Sequence, residues 1–310
     1  MIAAALRRTV ASLVLMALMA TIVFLGVFAI GSPIDILIDP AADDALRQQV
    51  IQRLGLDLPL HQQFLHFLAG AIQGDLGNSF VHNVPALGLI LQRLPATLEL
   101  AASAMALAIF LGIPLGMAAG LWEDRWQGKA ILSLSILGFS LPTFWVGILL
   151  ILIFAVELGL LPAGGRGDGG IAHLILPACT LALLKLALVI RLARAGTREA
   201  LDQDYVKFAR AKGLHPARIL GLHVLKNILI PIVTVLGLEF GSVIAFSVVT
   251  ESVFAWPGIG KLLIDSILRL DRPVIVAYLL FVVAMFITIN FIVDLLYLLL
   301  DPRVRAGERS

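Results

Sequence analysis

The chain has 310 residues, of which 60% are hydrophobic and 14% are charged. Soluble domains are about half apolar and about a quarter charged, so this composition excludes an ordinary soluble fold and leaves lipid as the solvent for most of the surface. The net charge of +2 gives no reason to expect nucleic acid, and the single cysteine, Cys179, excludes an intrachain disulfide.

Six apolar runs have the length of a membrane-spanning helix. In chain order they are Thr9–Ile30, Leu98–Leu121, Ala130–Val156, Ile171–Ile190, Ile228–Thr250 and Val274–Leu300. The first run follows Arg7 and Arg8 but is longer than the apolar core of a signal peptide, so we expect an uncleaved membrane helix. Four prolines lie in or beside the later runs, and we expect the helices to kink there: Pro114, Pro142, Pro177 and Pro231.

The distribution of lysine and arginine gives the orientation of these runs, because cytoplasmic segments carry the excess. With the N-terminus inside, fifteen of the 23 Lys and Arg residues fall in inside segments and seven in outside segments, while Lys185 lies within a run. We therefore expect both termini in the cytoplasm, which agrees with an even number of spans.

Two loops between the runs are long. The outer loop is acidic at its start and contains two stretches with helical apolar spacing, Ala45–Leu56 and Leu60–Ile72, which predict short amphipathic helices. The inner loop, residues 191–227, is basic. Ala200–Lys212 predicts a helix that stops at Gly213, and Pro216 predicts the start of a second short helix through about Lys226. From charge alone, such a loop is equally suited to rest on anionic lipid headgroups.

No motif for catalysis is present. The string from Gly258 to Lys261 superficially suggests a phosphate-binding loop, but Leu262 stands where a magnesium-binding Ser or Thr is required. His61 and His66 are not accompanied by a carboxylate cluster, so we expect no metal site there. We therefore predict that the chain is not an enzyme.

Three ionisable residues lie well inside the apolar runs: Lys185, Glu239 and Asp294. Such groups are functional candidates because charges inside a membrane are costly. They would suit a proton or sodium relay, which keeps an ion-coupled secondary transporter open as an alternative function. They would equally suit pairing within the helix bundle, or facing a water-filled passage without titrating.

The inner loop carries a specific resemblance. Glu199–Leu214 reads EALDQDYVKFARAKGL and His223–Asn227 reads HVLKN, which resembles the cytoplasmic coupling loop of ABC importer permeases of the dipeptide, oligopeptide and nickel family. Further similar strings are LPATLEL at 94–100, FAWPGIG at 254–260 and DPRVR at 301–305. LGLDLPL at 54–60 and GDLGNS at 74–79 are similar to the outer loop of the first permease of the pair.

One position departs from the general ABC importer pattern. That pattern begins with Glu-Ala-Ala six residues before its glycine, and here Lys207, Phe208 and Ala209 stand in those places. The glutamate's contact is therefore not carried over to this chain.

The resemblance implies an all-α integral membrane protein with about six spans, the type I ABC importer permease fold and both termini in the cytoplasm. It implies three segments: residues 1–93, with the first span and the long outer segment; 94–300, the five-helix core with the coupling loop 191–227; and 301–310, a cytoplasmic tail. It also implies a multi-pass protein of the bacterial inner membrane.

The resemblance further implies a translocation subunit that forms half of the pathway for di- and oligopeptides. Its partners would be a second homologous permease, two ATP-binding subunits and an extracytoplasmic substrate-binding protein, with the lipid membrane around it and no nucleic acid. ATP and magnesium would belong to the ATP-binding subunits, so no cofactor is expected on this chain. Nickel or another small solute is the alternative cargo within the family, and selectivity is expected to lie mainly in the binding protein.

The same resemblance assigns the site residues. The ATPase-coupling loop would use Asp204, Tyr205, Ala209, Arg210, Lys212, Gly213, Leu214, Arg218 and Asn227. Gly213 would allow the sharp turn, the small Ala209 and Ala211 would let the helix seat closely on the ATPase, and the basic residues would make contacts at the rim. Trp256, Pro257 and Gly258 would dock the binding protein on the outer side, together with the acidic outer loop; anchoring at the membrane interface is the alternative for Trp256.

Overall fold

The computed structural model describes residues 14–26, 44–53 and 57–300, and this part of the chain is almost entirely helical. Its helices, in chain order, are α1 Val14–Gly26, α2 Asp44–Arg53, α3 Leu60–Ile72, α4 Ala86–Leu121, α5 Trp126–Ser140, α6 Thr143–Glu157, α7 Ile171–Leu201, α8 Asp204–Ala211, α9 Pro216–Val253, α10 Ile259–Leu268 and α11 Arg272–Leu300. The second half of α6, Ile151–Glu157, and one turn of α9, Ile219–Val224, are π-helical.

The predicted all-α architecture is confirmed. Within the described residues, α4, α7, α9 and α11 are each long and apolar enough to cross a membrane, and the bent pair α5 and α6 has the length and hydropathy of one broken span or a re-entrant loop. The shorter apolar helix α1 is the described part of the first predicted span, whose ends at Thr9 and Ile30 lie outside the described residues. The tail at 301–310 and its DPRVR string also lie outside them.

The third predicted span is not one straight helix. The chain bends by 102° between α5 and α6, at Leu141 and Pro142. Proline has no N–H to donate and disfavours the helical region for the residue before it, and Leu141 is accordingly extended at φ −79° and ψ 136°. The expected kink at Pro142 is therefore a complete break, whereas Pro114, Pro177 and Pro231 lie within helices that continue on both sides.

The second short helix predicted in the inner loop is also revised. A helix does begin at Pro216, with the His215 ring accepting a hydrogen bond from the Ala217 N–H, but it continues through Lys226 to Val253. Gly221 and Pro231 lie five residues on either side of Lys226, and the helix continues through both. The two outer helices predicted from sequence are present as α2 and α3, with Leu54–Leu56 outside the described residues; α3 is amphipathic, whereas α2 is polar and has no distinct apolar face.

The structure divides into two compact units. One contains the described residues up to Ala96 together with Pro257–Thr288. Its apolar core joins α1 to α11, through Ala20 and Val23 on the first helix and Ile275, Val276 and Leu280 on the last. The Phe24 ring stacks on Phe67 at 5.8 Å and meets Phe64 edge-on at 5.2 Å, so α3 covers the same core.

A buried carboxylate organises the loops of this unit. Asp271, which precedes α11, accepts a hydrogen bond from the Ser79 hydroxyl at 2.5 Å and from the Phe80 N–H at 2.9 Å. Both Asp271 and Ser79 are buried. Hydrogen bonds to a carboxylate are among the stronger ones, so this contact fixes the outer segment after α3 to the start of the last helix.

The second unit contains Thr97–Trp256 and the chain from Ile289. Helix α7 contacts α5, α6, α8 and α9. Helix α4 packs against α7 through glycines at four-residue spacing, Gly112, Gly116 and Gly120. A Cβ on Gly116 would lie 2.6 Å from both the Ala193 Cβ and the Ile190 carbonyl oxygen, so the two backbones nearly touch.

This close approach predicts the effect of adding one methyl group. Gly116→Ala should destabilise the purified protein by about 1–3 kcal/mol, because the Cβ has no space against α7. The comparison is Gly88→Ala in the same helix, where the nearest atom to a Cβ is 3.9 Å away. Since alanine favours helix over glycine, this variant should match or exceed the parent in thermal unfolding. Equal unfolding temperatures for the two variants would contradict the packing described.

Candidate functional site

The predicted coupling loop forms a short helix between two long ones. Helix α8 follows α7 after only Asp202 and Gln203, and its charges suit the helix dipole, with Asp204 in the first turn and Arg210 in the last. Lys207 pairs with Asp204 at 3.0 Å. Because both of these side chains are largely exposed, that pair contributes little stability.

Gly213 produces the turn after α8. Its φ of +74° lies in the left-handed region that favours glycine. The Leu214 N–H donates to the Ala209 carbonyl at 3.2 Å and the Gly213 N–H to the Arg210 carbonyl at 2.9 Å, which together form a Schellman motif. The turn predicted at this glycine is therefore present, and its conformation ends α8 abruptly.

The side chains of α8 divide into an inner and an outer face. Val206 and Ala209 are buried, and α8 contacts the end of α7 and the π-helical turn of α9. Ala209 is only 4% exposed. The prediction that this alanine seats on a partner is therefore wrong: its small side chain lets α8 lie close to its own chain, and Ala211 is the exposed alanine.

The outer face of α8 combines an aromatic side chain with basic ones. Phe208 is 62% exposed, and the Lys212 ammonium lies 4.6 Å from the centre of its ring. Phe208 is two residues from Val206, about 200° around the helix, so it lies opposite the buried face. Arg210 and Arg218 are also exposed, whereas Leu214 is half-buried. Phe208 is the prominent apolar group that sequence reasoning did not select for this surface.

A hydrogen bond ties α8 to the start of α9. The Asn227 amide donates to the Tyr205 hydroxyl at 2.9 Å and to the His223 carbonyl at 2.7 Å. Asp204 and Tyr205 are exposed at the beginning of α8. The helix is therefore connected to α7 through a two-residue link and to α9 through this side-chain contact, which limits its independent movement.

The outer Trp256 segment differs from the prediction. Trp256 is 1% exposed and Gly258 is buried, so of the three predicted docking residues only Pro257 is exposed. Ala255 takes φ +48°, and the Trp256 N–H donates to the Glu251 carbonyl at 2.8 Å, which turns the chain back at the end of α9. This burial also contradicts interfacial anchoring by Trp256.

Two of the three intramembrane candidates are paired. The Lys185 ammonium of α7 donates to the Glu239 carboxylate of α9 at 2.5 Å and to the Ser242 hydroxyl at 2.8 Å. Lys185 is mostly buried, while the Glu239 side chain is 37% exposed. The side chain of Asp294 lies outside the described part of the chain.

The contacts of two carboxylates, Glu251 and Glu99, were not expected from sequence. Glu251 is fully buried and accepts hydrogen bonds from the Thr97 hydroxyl at 2.7 Å and from the Ser247 hydroxyl at 2.9 Å. Glu99, which lies within α4 rather than near a helix end, pairs with Arg166 at 2.5 Å. In the sequence, the one indication of burial is that Glu251 directly follows an apolar run. Among the described residues, no three His, Cys, Asp or Glu side chains gather to hold a metal ion.

The Lys185–Glu239 pair predicts a stability difference. Lys185→Met leaves a carboxylate without its cation in an apolar span and should destabilise the protein by about 1–3 kcal/mol. The double variant Lys185→Met/Glu239→Gln should recover part of that loss, because no ionised group remains at this contact. Thermal unfolding of the purified protein measures both.

Lys261→Met is the matched comparison. It removes the lysine of a pair within one helix, at 2.9 Å from Asp265, where the lysine side chain is 31% exposed against 13% for Lys185. Its cost should therefore be smaller, about 0.5 kcal/mol. Equal losses for the two lysine variants would contradict a special contribution from the intramembrane pair.

Comparison with known proteins identifies the family of this chain. Residues 112–306 match the family described as "Binding-protein-dependent transport system inner membrane component", and residues 1–101 match the N-terminal family of the same transport systems. The di/tripeptide transport system permease protein DppB of Pseudomonas aeruginosa (strain UCBPP-PA14) is 39% identical over 302 residues, with 89% of this chain and 90% of the relative covered. The glutathione transport system permease protein GsiC of Escherichia coli (strain K12) is 40% identical over 289 residues, with 93% and 94% covered.

Solved structures support the fold alone. The MetNI methionine ABC transporter in inward-facing conformations matches with a TM-score of 0.53 at 16% identity, covering 68% of this chain and 95% of that one. An amino acid ABC transporter with histidines matches with a TM-score of 0.50 at 21% identity, covering 68% and 93%. The chain therefore belongs to the binding-protein-dependent transport system inner membrane component family, as a multi-pass ABC importer permease of the bacterial inner membrane.

Proposed function

We propose that this permease forms half of a translocation pathway for short peptides and that the loop at 191–227 receives the motion of separate ATPase subunits. The observation that carries this proposal is the outer face of α8, where the exposed Phe208 is accompanied by Lys212 and Arg210. An apolar side chain on an exposed helix, with charges beside it, is typical of a contact that a partner covers.

The two faces of α8 favour a protein partner over lipid headgroups. A helix that rests on a membrane turns its apolar face toward the lipid. Here Val206 and Ala209 pack on the chain itself, so the membrane-embedded helices lie on that side. Phe208 is on the opposite face and so points away from them, where a groove on a cytoplasmic subunit would accommodate it.

The partners follow from the family. A binding-protein-dependent system supports an extracytoplasmic substrate-binding protein as the donor of cargo. We infer a second homologous permease to complete the pathway and two ATP-binding subunits that hold ATP and magnesium. This chain would then need no cofactor of its own, and its division into residues 1–93, 94–300 and 301–310 stays a prediction.

Short peptides are the cargo that the relatives support. One relative is named for di- and tripeptides and another for glutathione, itself a tripeptide. No observation on this chain favours nickel. The ion-coupled carrier is not supported either, because Lys185 and Glu239 hold each other in a close pair and the family depends on a binding protein.

The conformation of Gly213 tests the coupling loop. A Cβ at this position meets no atom within 4 Å, so a substitution there is costly only through its φ of +74°. Asparagine tolerates that region, whereas a β-branched residue does not. In the assembled importer, Gly213→Asn should keep near-parental peptide uptake per ATP hydrolysed, and Gly213→Val should lower it by about fivefold or more. Equal coupling in both variants would contradict the assignment of this turn.

Cargo is tested with the whole importer in proteoliposomes, with ATP inside and loaded binding protein outside. Labelled dialanine or glutathione should accumulate, and unlabelled peptide should compete, whereas nickel should not compete. Uptake of nickel without uptake of either peptide would contradict the proposed cargo while leaving the coupling role in place.

A further inference from the structure

Glu123 connects the inner end of α4 to the inner end of α7. It follows α4 by two residues and its carboxylate accepts a hydrogen bond from Arg194 at 2.5 Å. Arg198, one turn further along α7, pairs with the other oxygen of the same carboxylate. All three side chains are at least partly shielded from solvent, and the carboxylate is shielded most. One acidic residue therefore joins two cations that lie on successive turns.

The helices are in backbone contact at the same place. A Cβ on Gly120 would lie 3.0 Å from the Arg194 carbonyl oxygen and 3.0 Å from the Thr197 Cβ. Interiors packed this closely transmit displacement rather than absorb it. The inner ends of α4 and α7 are thus held by packing and by charge together.

Helix α7 continues almost directly into α8. Only Asp202 and Gln203 separate them, and the Gln203 N–H donates to the Ala200 carbonyl at 3.2 Å, while the Val206 N–H donates to the Gln203 carbonyl at 3.1 Å. Hydrogen bonds therefore run through the link. A displacement of α8 reaches Arg198 within about two helical turns.

We propose that Glu123 is a positioning residue of the transport cycle. It makes the inner ends of α4 and α7 move as one body when α8 is displaced, so that the motion reaches a second membrane helix. This proposal rests on the proposed coupling role of α8 and extends it to a residue outside the coupling loop.

Removal of the Glu123 carboxylate should have a larger effect than removal of one partner of a surface ion pair. The Arg194 Nε is buried and, in the part of the chain that the structure describes, forms no hydrogen bond. Arg194 and Arg198 are four residues apart on one helix, where like charges repel. Removing the carboxylate would therefore leave two unbalanced cations on α7 and release the ionic connection to α4.

The test compares Glu123→Gln with Asp124→Asn in the importer assembled with its partner subunits. Asp124 is the exposed next residue, so its variant removes the same charge without touching this network. We expect Glu123→Gln to copurify with the ATP-binding subunits and to hydrolyse ATP, but to transport dialanine about fivefold less per ATP, or lower still. Asp124→Asn should keep the parental ratio.

The amount of dialanine transported per ATP hydrolysed distinguishes a positioning role of Glu123 from a role in stability alone. Loss of stability alone would lower the amount of complex and both activities together, leaving dialanine transported per ATP unchanged; that result would overturn the proposal. If Glu123→Gln does not assemble, Arg198→Gln tests the proposal instead. The Arg198 side chain is about half exposed, so its substitution should destabilise the protein less. A lowered ratio in Arg198→Gln supports the proposal, and a parental ratio overturns it. A parent chain that copurifies with no ATP-binding subunit would instead overturn the coupling role beneath it.

Discussion

The hydrocarbon core of a membrane donates and accepts no hydrogen bonds, so a polar group that this chain carries into it needs a partner within protein. Lys185 and Glu239 pair between α7 and α9, and Glu251 is held by Thr97 and Ser247 at the outer end of α9. Where no polar group is available, the glycines of α4 let its backbone contact α7 directly. The ion pair and the glycine contacts fasten α9 and α4 to α7, and the Glu251 contact fastens α4 to α9.

The proposed coupling role would use the way α7, α8 and α9 are connected. Helix α7 is continuous from Ile171 to Leu201, and only two residues separate it from α8. The Schellman turn at Gly213 then returns the chain to α9, and the Tyr205–Asn227 hydrogen bond closes the loop. Under the proposed function, a force on the exposed face of α8 would reach α7 and α9 through these contacts, and α4 through Glu123.

Local features were predictable from sequence, and contacts between distant residues were not. Apolar length defined the spans, and the glycine at 213 marked a turn that its φ of +74° confirms. Proline at 142 indicated a kink, but the sequence pattern did not give its size, a break of 102°. Trp256 looked like a surface residue because the turn at Ala255 that buries it has no glycine signal. The partners of Glu123 lie 71 residues and more along the chain, where no pattern joins them.

The most direct test of the coupling role is what touches the outer face of α8. A photoreactive benzoyl-phenylalanine in place of Phe208, in the assembled importer in membranes, should form its adduct with an ATP-binding subunit. The same group at Leu134, exposed on α5, serves as the membrane-embedded control and should yield no such adduct. Adducts from position 208 to lipid alone, with the ATP-binding subunits present and active, would contradict the assignment of α8 as the place where ATP-driven motion enters this permease.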